Sequence, residues 1–166
     1  MSVRAFIGIG CNLGDRSAHC RAAVDRLGRL PGAMLLRVSP TFESVPQEGV
    51  QGGPFLNAVA KIATSLSPRQ LLAHLQQIEV ALGRPANHFP GAARTMDLDL
   101  LLYGEVVIRE ADLTIPHPRM AERRFVLEPL VALAPSLSHP VLQVTVTELL
   151  RRLTPETSQL SEGVPR

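Results

Sequence analysis

Along the chain, stretches in which every second residue is apolar alternate with stretches in which apolar residues recur every three or four positions. Residues 3–9 alternate, with Val3, Ala5, Ile7 and Ile9 on one face of an expected strand. Cys20, Ala23, Val24, Leu27 and Leu30 then follow helical spacing behind a candidate N-cap, Asp15, and Pro31-Gly32 stops the helix. Residues 34–42 return to alternation, with Met34, Leu36 and Val38 sharing a face. After a loop rich in glycine and proline over 43–54, residues 55–64 set Phe55, Asn57 and Val59 on one side and Leu56, Ala58, Ala60 and Ile62 on the other. Ser67-Pro68-Arg69-Gln70 opens a second helix with a capping serine, proline at the first position and a glutamine able to reach back. Leu71, Leu75, Ile78 and Leu82 form its stripe, and Gly83 closes it. Residues 84–93 lack any period and lead into a strand over 96–103, from which Gly104-Glu105 is expected to return as a hairpin through Val106, Val107 and Ile108. Residues 113–119 must be extended, because Pro116 and Pro118 each disfavour helix in the residue before them. Residues 120–133 are helical in pattern with an interruption at Pro129, His139-Pro140 opens another extended piece, and Thr147 caps a short helix through Leu153.

Strand, helix, strand, strand, helix, strand, followed by C-terminal additions, is the split βαβ, ferredoxin-like plan. That is an α+β sandwich with helices packed on one face of a mainly antiparallel sheet. At 166 residues the chain has the length of one domain, assigned to 1–153, with a frayed polar tail over 154–166. An apolar fraction of 45% and a charged fraction of 19% describe a soluble globular protein. The net charge of +2 is too small to argue for nucleic acid or an anionic membrane, and a monomer is expected. Lys61 is the only lysine among seventeen basic residues, a bias that lowers the weight of any single arginine as a phosphate ligand. Cys11 and Cys20 make neither a metal framework nor a disulfide scaffold, so reduced thiols in the cytoplasm are expected. The first ten residues hold too short an apolar run for a leader, and no stretch approaches a membrane span.

The candidate chemistry is concentrated in the strand over 96–103. Alternation puts Asp97, Asp99, Leu101 and Tyr103 on one face and Leu98, Leu100 and Leu102 on the other. Two carboxylates side by side repel unless a cation or a shared proton lies between them, and oxygen-only ligands select a hard cation such as Mg²⁺. Arg94, just ahead, supplies a planar cationic fork that suits a polyphosphate. A bare Asp-x-Asp is often only a solvated strand edge, but the neighbouring leucines mark burial, where unpaired acids are costly. Phe55 and Asn57 share a face and would stack on and hydrogen-bond a flat heterocycle; taken singly, Phe55 reads as core and Asn57 as a satisfied polar group. Gln76 and Glu79, one helical turn apart, face either a neighbouring site or solvent. The glycine turn Gly10-Cys11-Asn12-Leu13-Gly14-Asp15-Arg16 has neither a dinucleotide fingerprint nor the terminal Lys-Ser/Thr of a phosphate loop, and reads as a tight strand-to-helix turn.

That turn, with Phe55-Leu56-Asn57-Ala58, Gly83-Arg84, Arg94-Thr95-Met96-Asp97-Leu98-Asp99, and Ile115-Pro116-His117-Pro118-Arg119-Met120 followed by Arg123 and Phe125, resembles the 6-hydroxymethyl-7,8-dihydropterin pyrophosphokinases of folate biosynthesis. The match runs in order along nearly the whole chain, and Arg-Thr-x-Asp-x-Asp with Pro-His-Pro about twenty residues further on is its most specific part. The resemblance implies a ferredoxin-like fold and transfer of the β,γ-pyrophosphate of ATP to the pterin hydroxymethyl group, releasing AMP. It further implies that Asp97 and Asp99 bind two Mg²⁺ ions and that Arg84 and Arg94 clamp the transferring group from a closing loop. Gln76, His117 and Arg123 would contact ATP. Asn57, with backbone from Ser44 and Val45, would read the pterin edge while Phe55 and Phe125 sandwich the ring. Departures from the family pattern are Cys11 for a usual serine, Phe55 for tyrosine and Gly91 for a frequent aromatic.

Two other classes use some of the same residues. A metal-dependent phosphohydrolase would employ the aspartates but needs no paired aromatics and would act with water alone. A non-catalytic ferredoxin-like module binding small ligands or RNA would tolerate loss of both aspartates, and RNA binding asks for a basic, aromatic sheet face that the low charge and single tyrosine do not suggest.

Overall fold

In the computed structural model of the protein, which describes residues 2–45, 53–83 and 96–153, the alternating stretches form strands and the periodic ones helices. The elements run β1 (Val3–Cys11), α1 (Arg16–Gly28), β2 (Ala33–Val38), β3 (Phe42–Ser44), β4 (Phe55–Thr64), α2 (Pro68–Ala81), β5 (Asp97–Tyr103), β6 (Ile108–Glu110), β7 (Leu113–Ile115), a 3-10 turn (Met120–Glu122), α3 (Arg124–Leu133) and α4 (Val146–Arg152). The main sheet has the order β2-β4-β1-β5, with β3 also on β4, and every pairing is antiparallel. This is the split βαβ, ferredoxin-like topology. The expected tail over 154–166 and the loop over 84–93 lie outside the described residues, as do residues 46–52. No helix among the described residues is long and apolar enough to cross a membrane.

Local chemistry sets the helix ends. Asp15 caps α1 by accepting from the Ala18 amide, and Ser67 and Gln70 complete a reciprocal capping box on α2 with Pro68 at its first position. Gly83, just past α2, has φ +109°, a left-handed conformation that glycine adopts without a Cβ penalty. Cys11 and Cys20 are buried thiols 3.5 Å apart that join the end of β1 to α1.

Helices cover both faces of the sheet, rather than the single face expected. One core joins Ile7, Ile9, Ala60, Ile62, Leu98 and Leu100 to Cys20, Ala23 and Leu27 of α1 and Leu71, Leu75 and Ile78 of α2. The opposite core joins Phe6, Val59, Leu101 and Leu102 to Met120 and to Val126, Leu127, Leu130, Val146 and Leu149 from the C-terminal helices. The C-terminal additions are therefore a third layer, recruited because β1, β4 and β5 carry apolar side chains on both faces.

Several local expectations are corrected. The strand over 34–42 is two strands, because Ser39 binds Val59 through both its amide and its Oγ and Pro40 has no N–H to continue the ladder. A register shift between Leu35 and Arg37 breaks the assumed face, leaving Met34 exposed while Ala33, Leu35 and Val38 pack inward. A second shift opposite Phe6 and Ile7 skips Leu101, so Leu101 and Leu102 both join the outer core and Tyr103 moves to the α1–α2 side, where its hydroxyl donates to Leu66 O. Gly104-Glu105 does not start a hairpin on β5: Ile108–Glu110 pairs with Leu113–Ile115 instead, held by Arg69 to Glu110 and Asp112. The extended run over 113–119 ends at Ile115; the Ile115–Pro116 bond that follows is cis, and the chain turns there so that the His117 amide donates to Leu101 O on the outer edge of β5. The interruption in 120–133 falls at Arg123, and Pro129 sits inside α3. Thr145, not Thr147, caps α4, while the Thr147 hydroxyl donates to Pro135 O.

Leu127 is fully buried between α3 and the sheet. Leu127→Ala is expected to lower the unfolding free energy by about 2–5 kcal/mol, measured by urea titration, because the lost contacts leave a cavity; a change below about 0.5 kcal/mol, the scale of a surface substitution, would contradict this layer assignment.

Candidate functional site

The strand register assembles a site on the part of the outer face that α3 and α4 leave uncovered. Gly10 of β1 stands opposite Asn57 of β4 on one side and Asp97 of β5 on the other. One step along, Gly8 stands between Val59 and Asp99. Asn57 and Val59, Gly8 and Gly10, and Asp97 and Asp99 thus face the same way on three adjacent strands. The two glycines give the middle strand no side chains there, which opens a cavity of about 180 Å³.

Three groups of side chains surround this floor. Ser44, Val45, Phe55 and Asn57 line one end, Asp97 and Asp99 the other, and Arg123, Phe125 and Val126 from the start of α3 form a wall. A Cβ at Gly10 would lie 3.4 Å from Asn57 Oδ1 and 3.6 Å from Phe55 Cδ1, so both groups border the bare backbone. Asn57 is buried; its Nδ2 donates to Ser44 Oγ at 2.8 Å and to Phe42 O at 3.2 Å. Both donors are thereby used, the amide orientation is fixed, and Oδ1 is left as an acceptor toward the cavity, with the Ser44 hydroxyl hydrogen free to donate. Arg16 Nη1 donates to Pro54 O at 2.9 Å and Nη2 pairs with Glu43 at 2.6 Å, tying the start of α1 to the two strands that supply Ser44 and Phe55.

The acidic end faces a cationic one. Arg123 lies over the Phe125 ring, 5.5 Å from its centroid, and its Nε is buried without a hydrogen-bond partner among the described residues. Burial first, and then the Arg119 charge, pull the Arg123 guanidinium below its ordinary pKa, against the opposing pull of Asp99 and Asp97. Half-buried His117 is likewise pushed below 6.5, chiefly by desolvation and then by Arg123, with Asp97 acting the other way. Its Nδ1 accepts from the Arg119 amide at 3.3 Å, so the neutral ring carries its proton on Nε2. Cationic groups gathered beside a carboxylate pair form a site suited to an anion that arrives with a metal cation. The described residues contain no cluster of three metal-binding side chains. Two carboxylates fit Mg²⁺, which takes one or two from the protein and completes its shell with water and phosphate oxygens, better than an all-protein zinc site.

Of the residues singled out from sequence, Ser44, Val45, Phe55, Asn57, Asp97, Asp99, Arg123 and Phe125 meet in this cleft, and His117 stands beside it within the field of Asp97 and Arg123. Gln76 is exposed on α2 and does not line it. Arg84 and Arg94 lie outside the described residues. Sequence reasoning missed Gly8 and Gly10 as the floor, Val126 as a wall and Arg119 as a charge acting on both His117 and Arg123. Gly8-x-Gly10 at the end of one strand, matched to Asp97-x-Asp99 in another, was the available signal for the floor.

The model of the family described as 7,8-dihydro-6-hydroxymethylpterin-pyrophosphokinase matches residues 6–135. Over 84% of this chain and 86% of its own length, a 2-amino-4-hydroxy-6-hydroxymethyldihydropteridine pyrophosphokinase of Pseudomonas aeruginosa is 40% identical. The Haemophilus influenzae protein of the same name is 41% identical over 90% of this chain and 92% of its own. The folic acid synthesis protein fol1 of Schizosaccharomyces pombe is 40% identical over 90% of this chain, which spans only 20% of that protein. A solved Plasmodium falciparum HPPK-DHPS has the same fold, with a TM-score of 0.74 at 14% identity over 99% of this chain and 46% of the other.

His117 gives a pH test. With its folded pKa below 6.5, the unfolded chain binds a proton that the folded chain refuses as pH falls through 6.5, so stability rises with pH in that window and is lost on acidification. The urea midpoint of the unliganded protein should therefore fall between pH 6.5 and about 5, and fall less in His117→Gln. His139, also pushed down by burial, leaves a residual slope. Identical slopes in the two proteins would contradict a desolvated His117.

Proposed function

Because the chain belongs to the 7,8-dihydro-6-hydroxymethylpterin-pyrophosphokinase family, we propose that its cleft transfers the β,γ-pyrophosphate of ATP to the hydroxymethyl group of 6-hydroxymethyl-7,8-dihydropterin, giving AMP and the pterin diphosphate for folate synthesis. The observation that carries this reading is the meeting, on one bare stretch of β1, of an aromatic pair with a fixed amide acceptor and an acid pair with a cationic wall. The first combination suits a flat, hydrogen-bonding heterocycle and the second a metal polyphosphate.

In this reading Phe55 and Phe125 enclose the pterin ring, Asn57 Oδ1 accepts from its N–H edge, and Ser44 with the Val45 backbone completes the recognition. Asp97 and Asp99 hold two Mg²⁺ ions, which when bound neutralise phosphate charge as Lewis acids. Gln76, Arg123 and the Nε2–H of neutral His117 contact ATP, and Arg84 and Arg94 clamp the transferring group. Transfer of this kind needs alignment and charge stabilisation more than covalent help from the protein, so ordered carboxylates and forks suffice. We take the protein to act as a monomer on these two small molecules in the cytoplasm, where its buried thiols stay reduced.

Incubation with Mg-ATP and the reduced hydroxymethylpterin, with nucleotides resolved, is expected to give AMP and pterin diphosphate in equal amounts. ADP with pterin monophosphate would overturn the reading, and ADP formed without pterin would favour a hydrolase. Asp97→Ala and Asp99→Ala should each lower turnover by roughly 10²–10³-fold, the usual loss for one preorganised charge-stabilising group. Near-normal turnover in either variant would contradict the acid pair.

A further inference from the structure

Glu79 lies in the last turn of α2, is only 8% exposed, and does not line the cleft. Its Oε2 accepts a hydrogen bond of 2.7 Å from the amide of Leu98, the residue between Asp97 and Asp99. Among the described residues β5 is the edge strand of the sheet, paired with β1 alone. In an antiparallel pair successive residues turn their N–H groups toward and away from the partner, and the Leu98 amide is one that points away. A buried amide there needs an acceptor from outside the sheet, and the Glu79 side chain of α2 supplies one. The peptide unit held in this way is the one that joins Asp97 to Leu98.

We propose that Glu79 is a positioning residue for the aspartate pair. By gripping the Leu98 amide it fixes the tilt of the β5 edge and so the direction in which Asp97 and Asp99 present their carboxylates to metal and phosphate. This rests on the metal-polyphosphate reading of the cleft. The role belongs to the reach of the side chain and its acceptor oxygen. Partners that orient ligating groups are typically worth 10–100-fold in metal affinity or activity.

Two substitutions in the full chain separate reach from charge. Glu79→Gln keeps the length and an acceptor oxygen but loses the charge; Glu79→Asp keeps the charge but is one methylene shorter. Three readouts are needed: exchange of the Leu98 amide in the unliganded protein by NMR, Mg²⁺-dependent binding of a non-hydrolysable ATP analogue by calorimetry, and kcat with the KM for pterin. Glu79→Gln is expected to keep Leu98 protected and to stay close to wild type in metal-dependent binding and kcat. Glu79→Asp should expose Leu98 to faster exchange and lose about 10–100-fold in metal-dependent binding and kcat. Its KM for pterin should be unchanged, because Phe55, Asn57 and Phe125 sit on other elements. A loss in Glu79→Gln that equals or exceeds the loss in Glu79→Asp would overturn the proposal, and a loss confined to Glu79→Gln would favour a charge role. Unchanged Leu98 exchange in Glu79→Asp, or faster exchange with normal metal-dependent binding and turnover, would overturn it outright. A wild-type protein that makes no AMP would sink the functional reading, while Leu98 exchange and metal-dependent binding would still decide the role of Glu79.

Discussion

The register of β1 between β4 and β5 is the constraint on which the site depends. A slip of one residue would turn every side chain of β1 to the other face, replacing Gly8 and Gly10 by Ile7 and Ile9 at the cavity floor. The slip is opposed by the core itself, since Ile7 and Ile9 are almost fully buried against α1 and α2. Both register shifts in the sheet, one opposite Phe6 and Ile7 and one between Leu35 and Arg37, fall away from the glycines, and the ladder is regular from Ile7 to the end of β1.

A second consequence of the third layer is electrostatic. The segment after β7 crosses the outer edge of β5, where the His117 amide binds Leu101 O, and then delivers Arg119, Arg123 and the start of α3. The carboxylates come from the sheet and the cations from this segment, so each set is held by its own scaffold and the space between is left to a ligand. Partial burial keeps His117 neutral near neutral pH, which lets it donate from Nε2 without adding a further charge to the Arg119 and Arg123 wall.

The parts legible in the sequence were those carried by local periodicity and by motif. The α1 and α2 boundaries followed from Asp15, Ser67, Gln70 and Gly83, and the shared face of Asp97 and Asp99 followed from alternation in a strand. Tyr103 was misplaced with the aspartates because a bulge at Leu101 depends on the partner strand and leaves no mark in the sequence of β5 alone. The second covered face was missed for a related reason: apolar residues on both sides of β1, β4 and β5 show that two layers are needed only after the strands are known to be adjacent. The hairpin expected from Gly104-Glu105 failed because the outer edge of β5 is claimed by His117 and by the Glu79 side chain, contacts between residues far apart in sequence. The floor of the cleft escaped notice because a glycine contributes by what it lacks.

That bare floor is the most direct point of test, through Gly10→Ala. The added methyl would sit at ordinary contact distance from Asn57 Oδ1 and Phe55, so the fold has room for it, but it would fill the space assigned to a pterin. With Mg²⁺ and a non-hydrolysable ATP analogue present, titration of 6-hydroxymethylpterin should show affinity reduced by about tenfold or more, matching the 1–3 kcal/mol that one inserted methyl costs in a packed site. The melting temperature of the unliganded protein should not fall. Undiminished pterin affinity in a folded Gly10→Ala protein would contradict a site built on the exposed backbone of β1.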